Sequence, residues 1–171
     1  MLHESKENER IEVTEVGLSF EDVYKQDYFP KEYEEELKLA NLLLIPRTFR
    51  DYEIPVFPEG TLEFFEYIKD RAINTDLIPD ICVSDERYRE LELHSDIINL
   101  PELIVNNFAL PIITSIIASY FYDKIKERKK DINATVNITV EKKGKSKKIS
   151  YEGNIENFEK TMKIVSKNLF E

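Results

Sequence analysis

Alternating apolar and polar residues are clearest in the last quarter of the chain, where they predict a β-hairpin. The even positions of 132–140 are apolar and the odd positions are polar, which is the period of a half-buried strand. With a two-residue turn at 143–144, Ile138 faces Ile149 on the second strand. A four-residue turn at 143–146 keeps the same matching, so the pattern predicts the hairpin with either turn.

The residues after the hairpin predict a final amphipathic helix. Gly153 and Asn154 end the second strand, and apolar residues then recur at the spacing of one helix face. This stripe must cover apolar surface, and the inner face of the hairpin is the nearest candidate. The stripe consists of Ile155, Phe158, Met162, Val165 and Leu169.

Twenty consecutive residues, 103–122, carry no charge, and this run predicts a helix buried at the centre of the core. The run is apolar on every side, as a central core helix is. Its length also suits a membrane span, although Asn106 and Asn107 would be costly in hydrocarbon. A self-association surface is a third interpretation. Pro111 is expected to kink the helix or to mark its start.

The first hundred residues predict a series of shorter elements. Thr61, after Gly60, is expected to cap an amphipathic helix whose apolar positions include Leu62, Phe65 and Ile68. Residues 85–100 predict no defined element. The other expected elements are a strand or extended segment at 11–18, a helix at 31–40, a buried strand at 42–45, an irregular or edge segment at 46–60 and a strand at 78–83.

Together these elements predict an α+β fold. It would have a mixed sheet and a buried central helix, followed by the C-terminal β-hairpin and the amphipathic helix. Residues 1–10 are polar and are expected to form a flexible tail, and 11–171 to form a single globular domain. Within that domain, 11–100 and 101–171 are candidate subdomains, the second being a helix-hairpin-helix unit.

Charge narrows the classes of function. The net charge of −10 disfavours non-specific binding to nucleic acid or to anionic membranes. The charge is also uneven, since residues 1–100 hold 25 acids and 11 bases whereas residues 101–171 hold 9 acids and 13 bases. Such polarity suits docking to a protein partner or assembly into a homo-oligomer. A single cysteine and a charged N-terminus are typical of a cytoplasmic protein.

Few residues suggest chemistry. The four glycines never cluster, so neither a phosphate loop nor a cofactor is expected. Cys82 lies in a predicted strand, and His94 lies in a polar strip with acids at 92 and 96, so neither a nucleophile nor a metal site is predicted. Arg47 and Arg50 follow the buried strand at 42–45 and are candidate ligands for a phosphate or carboxylate, with surface ion pairing as the alternative.

Five lysines surround the predicted hairpin turn and are candidates for contact with a partner or an anion. The alternative is that they protect an exposed hairpin from aggregation. A second basic cluster at 124–130 would lie at the opposite end of the strand, so the two clusters do not predict one nucleic-acid surface. The five residues are Lys142, Lys143, Lys145, Lys147 and Lys148.

These observations predict a non-catalytic binding or accessory protein that acts through protein–protein contacts, as a subunit or regulator within a larger prokaryotic system. Two alternatives stay open. With 34 Asp and Glu residues, a pair of carboxyl groups could serve a small hydrolase. A membrane-associated protein would use 103–122 instead.

Overall fold

The computed structural model describes residues 9–47, 54–93, 96–128 and 131–171, with the side chain of Arg128 left out. It has the predicted α+β architecture. The helices are α1 (Phe20–Tyr24), α2 (Glu34–Leu39), α3 (Thr61–Ala72), α4 (Leu110–Arg128) and α5 (Phe158–Lys167). The strands are β1 (Arg10–Val16), β2 (Leu42–Ile45), β3 (Phe57–Pro58), β4 (Pro79–Ile81), β5 (Glu90–Leu91), β6 (Ile98–Asn99), β7 (Glu102–Asn106), β8 (Asn133–Lys142) and β9 (Lys145–Asn154).

One mixed sheet joins the two halves of the chain. Its strand order is β1-β9-β8-β7-β2-β4. The short strand β6 pairs with the beginning of β8, ahead of the part of β8 that pairs with β7. The strands β2 and β4 are parallel, as are β7 and β8, while the other neighbours in this order are antiparallel. β3 and β5 form a separate parallel pair. Strands from residues 10–81 and from residues 98–154 therefore share the same hydrogen-bonded sheet.

Two apolar layers sandwich the middle of this sheet. On one face, which we call the helix face, α3, α4 and α5 pack on β2, β7, β8 and β9. On the opposite face, which we call the outer face, α1 and α2 pack on β2 and β7. Because β2 is covered on both faces, its four residues are all buried and form a continuous apolar run rather than an alternating one.

The predicted hairpin is confirmed in its register. Ile138 lies opposite Ile149, and the turn is the two-residue version, Lys143 and Gly144. Both turn residues have positive φ, 50° and 81°, which matches the right-handed twist of the flanking strands. The predicted stripe of the last helix also packs in the core, with Phe158 and Met162 fully buried over the hairpin.

The prediction of one helix over 103–122 is wrong at its beginning. β7 takes 102–106, a short 3-10 helix takes 107–109, and α4 begins at Leu110 with Pro111 as its second residue. β7 lies between β8 and β2 and is covered on both faces, so its apolar run has no alternation to distinguish it from a buried helix. Pro111 marks the start of the helix, which is one of the two outcomes expected from the sequence. Proline is tolerated in the first turn of a helix.

A membrane span formed by 103–122 as a single helix is therefore not the structure of this segment. Within the described residues, one helix, 107–127, is long and apolar enough to cross a bilayer by composition, and nearly half of it is buried inside the protein. Ile113, Ile117 and Phe121 face the core from this helix. This helix therefore contributes to the apolar core on the helix face of the sheet.

The predicted cap of α3 is also wrong. Gly60, with φ of 86°, is the N-cap, and Thr61 is buried as the first helical residue, where its hydroxyl donates to the Pro58 carbonyl at 2.6 Å. The first amides are instead bound by Glu90 of β5, whose carboxylate accepts from the N–H groups of Gly60 and Leu62 at 2.9 and 3.2 Å. A distant residue thus performs the capping that a local one was expected to provide.

Two details follow from this arrangement. Leu62 is half exposed rather than part of the buried stripe, and Phe64 is buried in its place. Partial burial alone would raise the pKa of Glu90, but hydrogen bonds from the Tyr88 hydroxyl and the two amides outweigh it and hold the pKa below its ordinary value. Glu90 is therefore ionised while it caps the helix.

Candidate functional site

Half of the outer face of the sheet is not covered by the described helices. The odd residues of β8 point away from α4 and α5, and they carry hydroxyl and amide groups up to Thr139 and a carboxylate at Glu141. Thr135 and Asn137 on β8, with Ser150 on β9, are partly exposed and line a shallow depression of about 190 Å³. Arg10 and Glu12 of β1 border it. We call this surface the open polar face.

An ionic cluster lies where the open polar face meets the part covered by α1 and α2. Glu102, the first residue of β7, has its Oε1 atom 3.4 Å from the Lys148 Nζ atom and 3.8 Å from the Arg47 Nε atom. Arg47 follows β2, and Lys148 belongs to β9. Because β8 lies between β9 and β7, the Lys148 side chain crosses β8 to reach Glu102. The Lys148 side chain therefore covers the part of β8 where Thr139 is buried.

The cluster has more donors than acceptors. One carboxylate faces a guanidinium with five N–H donors and an ammonium with three, which leaves a local charge of +1. The Arg47 Nε atom is buried and has no hydrogen-bond partner among the described residues. About a third of each of the three side chains is exposed. The cluster can therefore accept a further carboxylate or phosphate from outside.

Two tyrosines pack on the covered part of the outer face, and one of them, Tyr28, is close enough to Glu102 to be affected by its charge. Burial raises the pKa of Tyr28, and the negative charge of Glu102 raises it further. Burial likewise raises the pKa of Tyr24, with contributions from Glu21 and Glu141. Both hydroxyls therefore stay protonated at neutral pH and cannot act as bases there. The two hydroxyls are therefore uncharged at neutral pH.

The structure joins one residue from each of the two predicted groups. Arg47 was a candidate for ligand binding and Lys148 for contact with a partner or an anion, and they meet on Glu102. Arg50 lies outside the described residues. Sequence reasoning gave Glu102 no role. To identify Glu102, one must know that β7 pairs between β8 and β2, and no local sequence pattern reveals that pairing.

The other lysines of the hairpin point to different surroundings. Lys145 and Lys147 alternate with Lys148 along β9 and so lie on the helix face, and the Lys147 Nζ atom donates to the Leu169 carbonyl at 2.6 Å. The ammonium groups of Lys142 and Lys147 lie 5.9 and 5.6 Å from the centre of the Phe170 ring. Lys143 is in the turn. The five lysines therefore do not form one patch.

Cys82 is fully buried against the outer face of the sheet. Burial, with a smaller contribution from Asp80, raises the pKa of its thiol to about 12. A thiol in this environment stays protonated and is a poor nucleophile. His94 lies outside the described residues, and within the described ones no group of three or more His, Cys, Asp or Glu residues could hold a metal ion.

Every Asp and Glu in the described ranges is at least partly exposed. A hydrolytic pair of carboxyl groups has one partner with a raised pKa in a cleft. Burial raises the pKa of Asp80 and of Glu141, the latter with help from Glu21 and Asp22. These groups lie on the α1 and β4 sides of the outer face, and neither lines a depression described above. The hydrolase alternative stays a prediction.

Comparison of the chain with protein-family models, with curated proteins and with solved structures finds no match.

Proposed function

We propose that this chain is a non-catalytic binding protein that engages a protein partner through its open polar face. The observation that carries the proposal is the cluster of Arg47, Glu102 and Lys148, in which two cations share one carboxylate at the border of an uncovered sheet surface. Such a cluster holds its charges in fixed positions before a partner arrives, which reduces the entropy lost on binding.

The charge of the cluster indicates the chemistry of the partner. An acidic side chain from a partner would be attracted by the two cations Arg47 and Lys148, which share one carboxylate, and Lys148 extends over the hydroxyl and amide groups of β8. These polar groups can bind main-chain or polar side-chain atoms around the acidic contact. The proposed partner therefore presents an Asp or Glu within an otherwise polar surface.

The scaffold supports the same function. The open polar face is built on β1, β8 and β9, which are regular strands rather than loops, and the opposite face of the hairpin is anchored in the core by Val136, Ile138 and Ile149. Sites on regular strands hold their side chains more accurately than loop sites do. A cytoplasmic location is part of this proposal, and a buried, unpaired Cys82 is compatible with a reducing compartment. The role of the protein there would be that of a subunit or regulator in a larger assembly.

The test is capture of the partner from the native lysate by the tagged full chain, with and without the charge of Lys148. Lys148→Met keeps the aliphatic stem over β8 and removes the ammonium. Lys160→Met is the matched control, because Lys160 is an exposed lysine of α5 on the other side of the sheet. We expect one stoichiometric protein with the wild type and with Lys160→Met, at a yield that falls as salt is added, and a large loss with Lys148→Met.

Equal capture by Lys148→Met and the wild type would show that the open polar face is not the binding surface. Absence of any stoichiometric protein with the wild type, together with turnover of a substrate by the pure chain, would contradict a non-catalytic binding function. Far-UV circular dichroism of each variant shows whether it is folded, so that loss of capture can be assigned to the contact.

A further inference from the structure

The two edges of the sheet differ in a way that bears on self-association. At one edge, β4 has only three residues and begins with Pro79, which has no N–H to offer. At the other edge, β1 has seven residues, no proline, and every residue at least partly exposed. Among the described residues β1 pairs only with β9, so its second side presents unpaired backbone groups. One edge is protected against pairing and the other is not.

We infer that a second copy of this chain pairs antiparallel with β1, with the two-fold axis at Ile11, so that one sheet runs through both copies. This interface adjoins the open polar face at Arg10 and Glu12 but lies at the edge of the sheet, and it does not depend on the proposed partner. The choice of occupant follows from the residues of β1 itself, whose charged side chains complement those of a second β1 in one register only.

The helix face of β1 provides the apolar part of this contact. β1 pairs with β9 so that Ile11 lies opposite Tyr151 and Val13 opposite Ile149, which places both on the helix face. They are nevertheless 38% and 44% exposed, because no strand lies on their other side. With the axis at Ile11, the two Ile11 side chains face each other, and each Val13 lies opposite Glu9 and diagonal to Ile11 of the second copy.

Charge selects this register among the seven that keep the helix layers on one side and centre within β1, because it alone places oppositely charged residues of β1 opposite each other. An axis at Glu12 places the two Glu12 carboxylates opposite each other, which is repulsive. An axis at Val13 places Glu12 opposite Thr14 and Arg10 opposite Val16 of the second copy, so it pairs no opposite charges. An axis at Ile11 places Arg10 opposite Glu12 of the second copy, and does so twice. Arg10 also lies opposite Glu152 of its own chain, so it would lie between two carboxylates.

A contact of one strand pair with four apolar side chains is small compared with a stable interface of about 1,600 Å². We therefore expect a dimer that dissociates on dilution. Pairing uses the edge of β1, so the open polar faces of the two copies stay accessible on the same side of the continued sheet. A dimer would present two ionic clusters to a partner.

Sedimentation velocity of the full chain over a wide range of concentration, with two charge variants, tests this inference. Glu12→Arg places arginines opposite each other in a dimer of that variant, and Arg10→Glu places glutamates opposite each other. Each variant alone is expected to have a dimer dissociation constant raised by about tenfold or more. In an equimolar mixture every cross-strand pair is again Arg with Glu, so the mixture is expected to dimerise as the wild type does.

Glu35→Arg is the matched control, because it makes the same change of charge at an exposed position of α2 and should dimerise like the wild type. Circular dichroism shows whether Arg10→Glu, which loses the basic neighbour of Glu152, is folded. A wild type that stays monomeric at all concentrations would overturn the inference. So would variants that dimerise alone as well as the wild type does, or a mixture that fails to restore the dimer.

Discussion

Replacing Phe158 by alanine tests whether the last helix and the hairpin belong to the same cooperative fold as the first half of the chain. Phe158 is the first residue of α5 and is fully buried. Its ring packs edge-on against Phe121 of α4 and against Tyr151 of β9, with both ring centroids 5.3 Å away. The substitution therefore removes the contact that joins α5 to both a core helix and the sheet.

The expected loss is large. Deleting a fully buried phenylalanine side chain costs about 3–5 kcal/mol, which includes the lost transfer free energy and the cavity that remains. The two edge-to-face ring contacts place Phe158→Ala in the upper part of that range, at about 4 kcal/mol. For a chain of this length, such a loss lowers the melting midpoint by about 10 °C. Ile164→Ala is the control, since Ile164 is 62% exposed on the same helix, and it should cost no more than about 0.5 kcal/mol.

Urea unfolding at neutral pH measures the effect. The chain has nine tyrosines and no tryptophan, so tyrosine fluorescence reports packing while far-UV circular dichroism reports secondary structure. Because one sheet contains strands from both halves, both signals should change in a single transition, with the midpoint lowered and the slope unchanged. A loss of less than about 1 kcal/mol would show that α5 is not held as described. Two separate transitions would show that the halves fold independently.

Three further predictions concern single residues. Glu90→Gln should lower the free energy of unfolding by about 1 kcal/mol at neutral pH, a value that already allows for the exposure of the side chain. Because the pKa of Glu90 is lowered in the folded state, the wild type should lose this advantage as the pH falls through that pKa, as measured by urea titrations. Gly144→Ala should cost about 1–2 kcal/mol through its φ of 81°, whereas Gly17→Ala, in open space without positive φ, should cost little by the same measurement. Cys82 should resist a thiol reagent in the native protein at mildly alkaline pH and react fully in urea, and fast native labelling would contradict its burial.

The hairpin could be predicted from the sequence in detail because two constraints agree there. The period-two alternation fixes which residues face the core, and Lys143 and Gly144 can adopt the positive φ values of a tight turn. The remaining choice between a two-residue and a four-residue turn did not change the pairing of Ile138 with Ile149. Local information was sufficient for this element.

The errors occurred where distant residues decide the structure. β7 is apolar on both faces because it lies between β8 and β2 and is covered by an apolar layer on each side. Residues 103–106 therefore could not be distinguished from the helix that follows. The polar pair at 106–107, where the strand ends, was the available sign of a boundary. Glu90 caps α3 from a strand 28–30 residues away along the chain, a contact that no capping rule based on sequence can identify.

The candidate site was only half predictable. Charge pattern drew attention to Arg47 and Lys148, but their meeting on Glu102 depends on a sheet order that crosses from β9 over β8 to β7. Alternation along β9 could have separated Lys148 from Lys147, since neighbouring strand residues point to opposite faces. Treating the hairpin lysines as one group therefore combined residues that the strand itself separates.

Lysine acetylation, measured by mass spectrometry on the free chain and on the chain bound to its captured protein partner, tests the proposed binding surface most directly. Lys148 lies on the outer face, Lys145 lies on the helix face of the same strand, and Lys160 is on α5. We predict that acetylation of Lys148 falls strongly in the complex while that of Lys145 and Lys160 is unchanged. Unchanged acetylation of Lys148, or protection of Lys145 and Lys160 instead, would contradict binding through the open polar face.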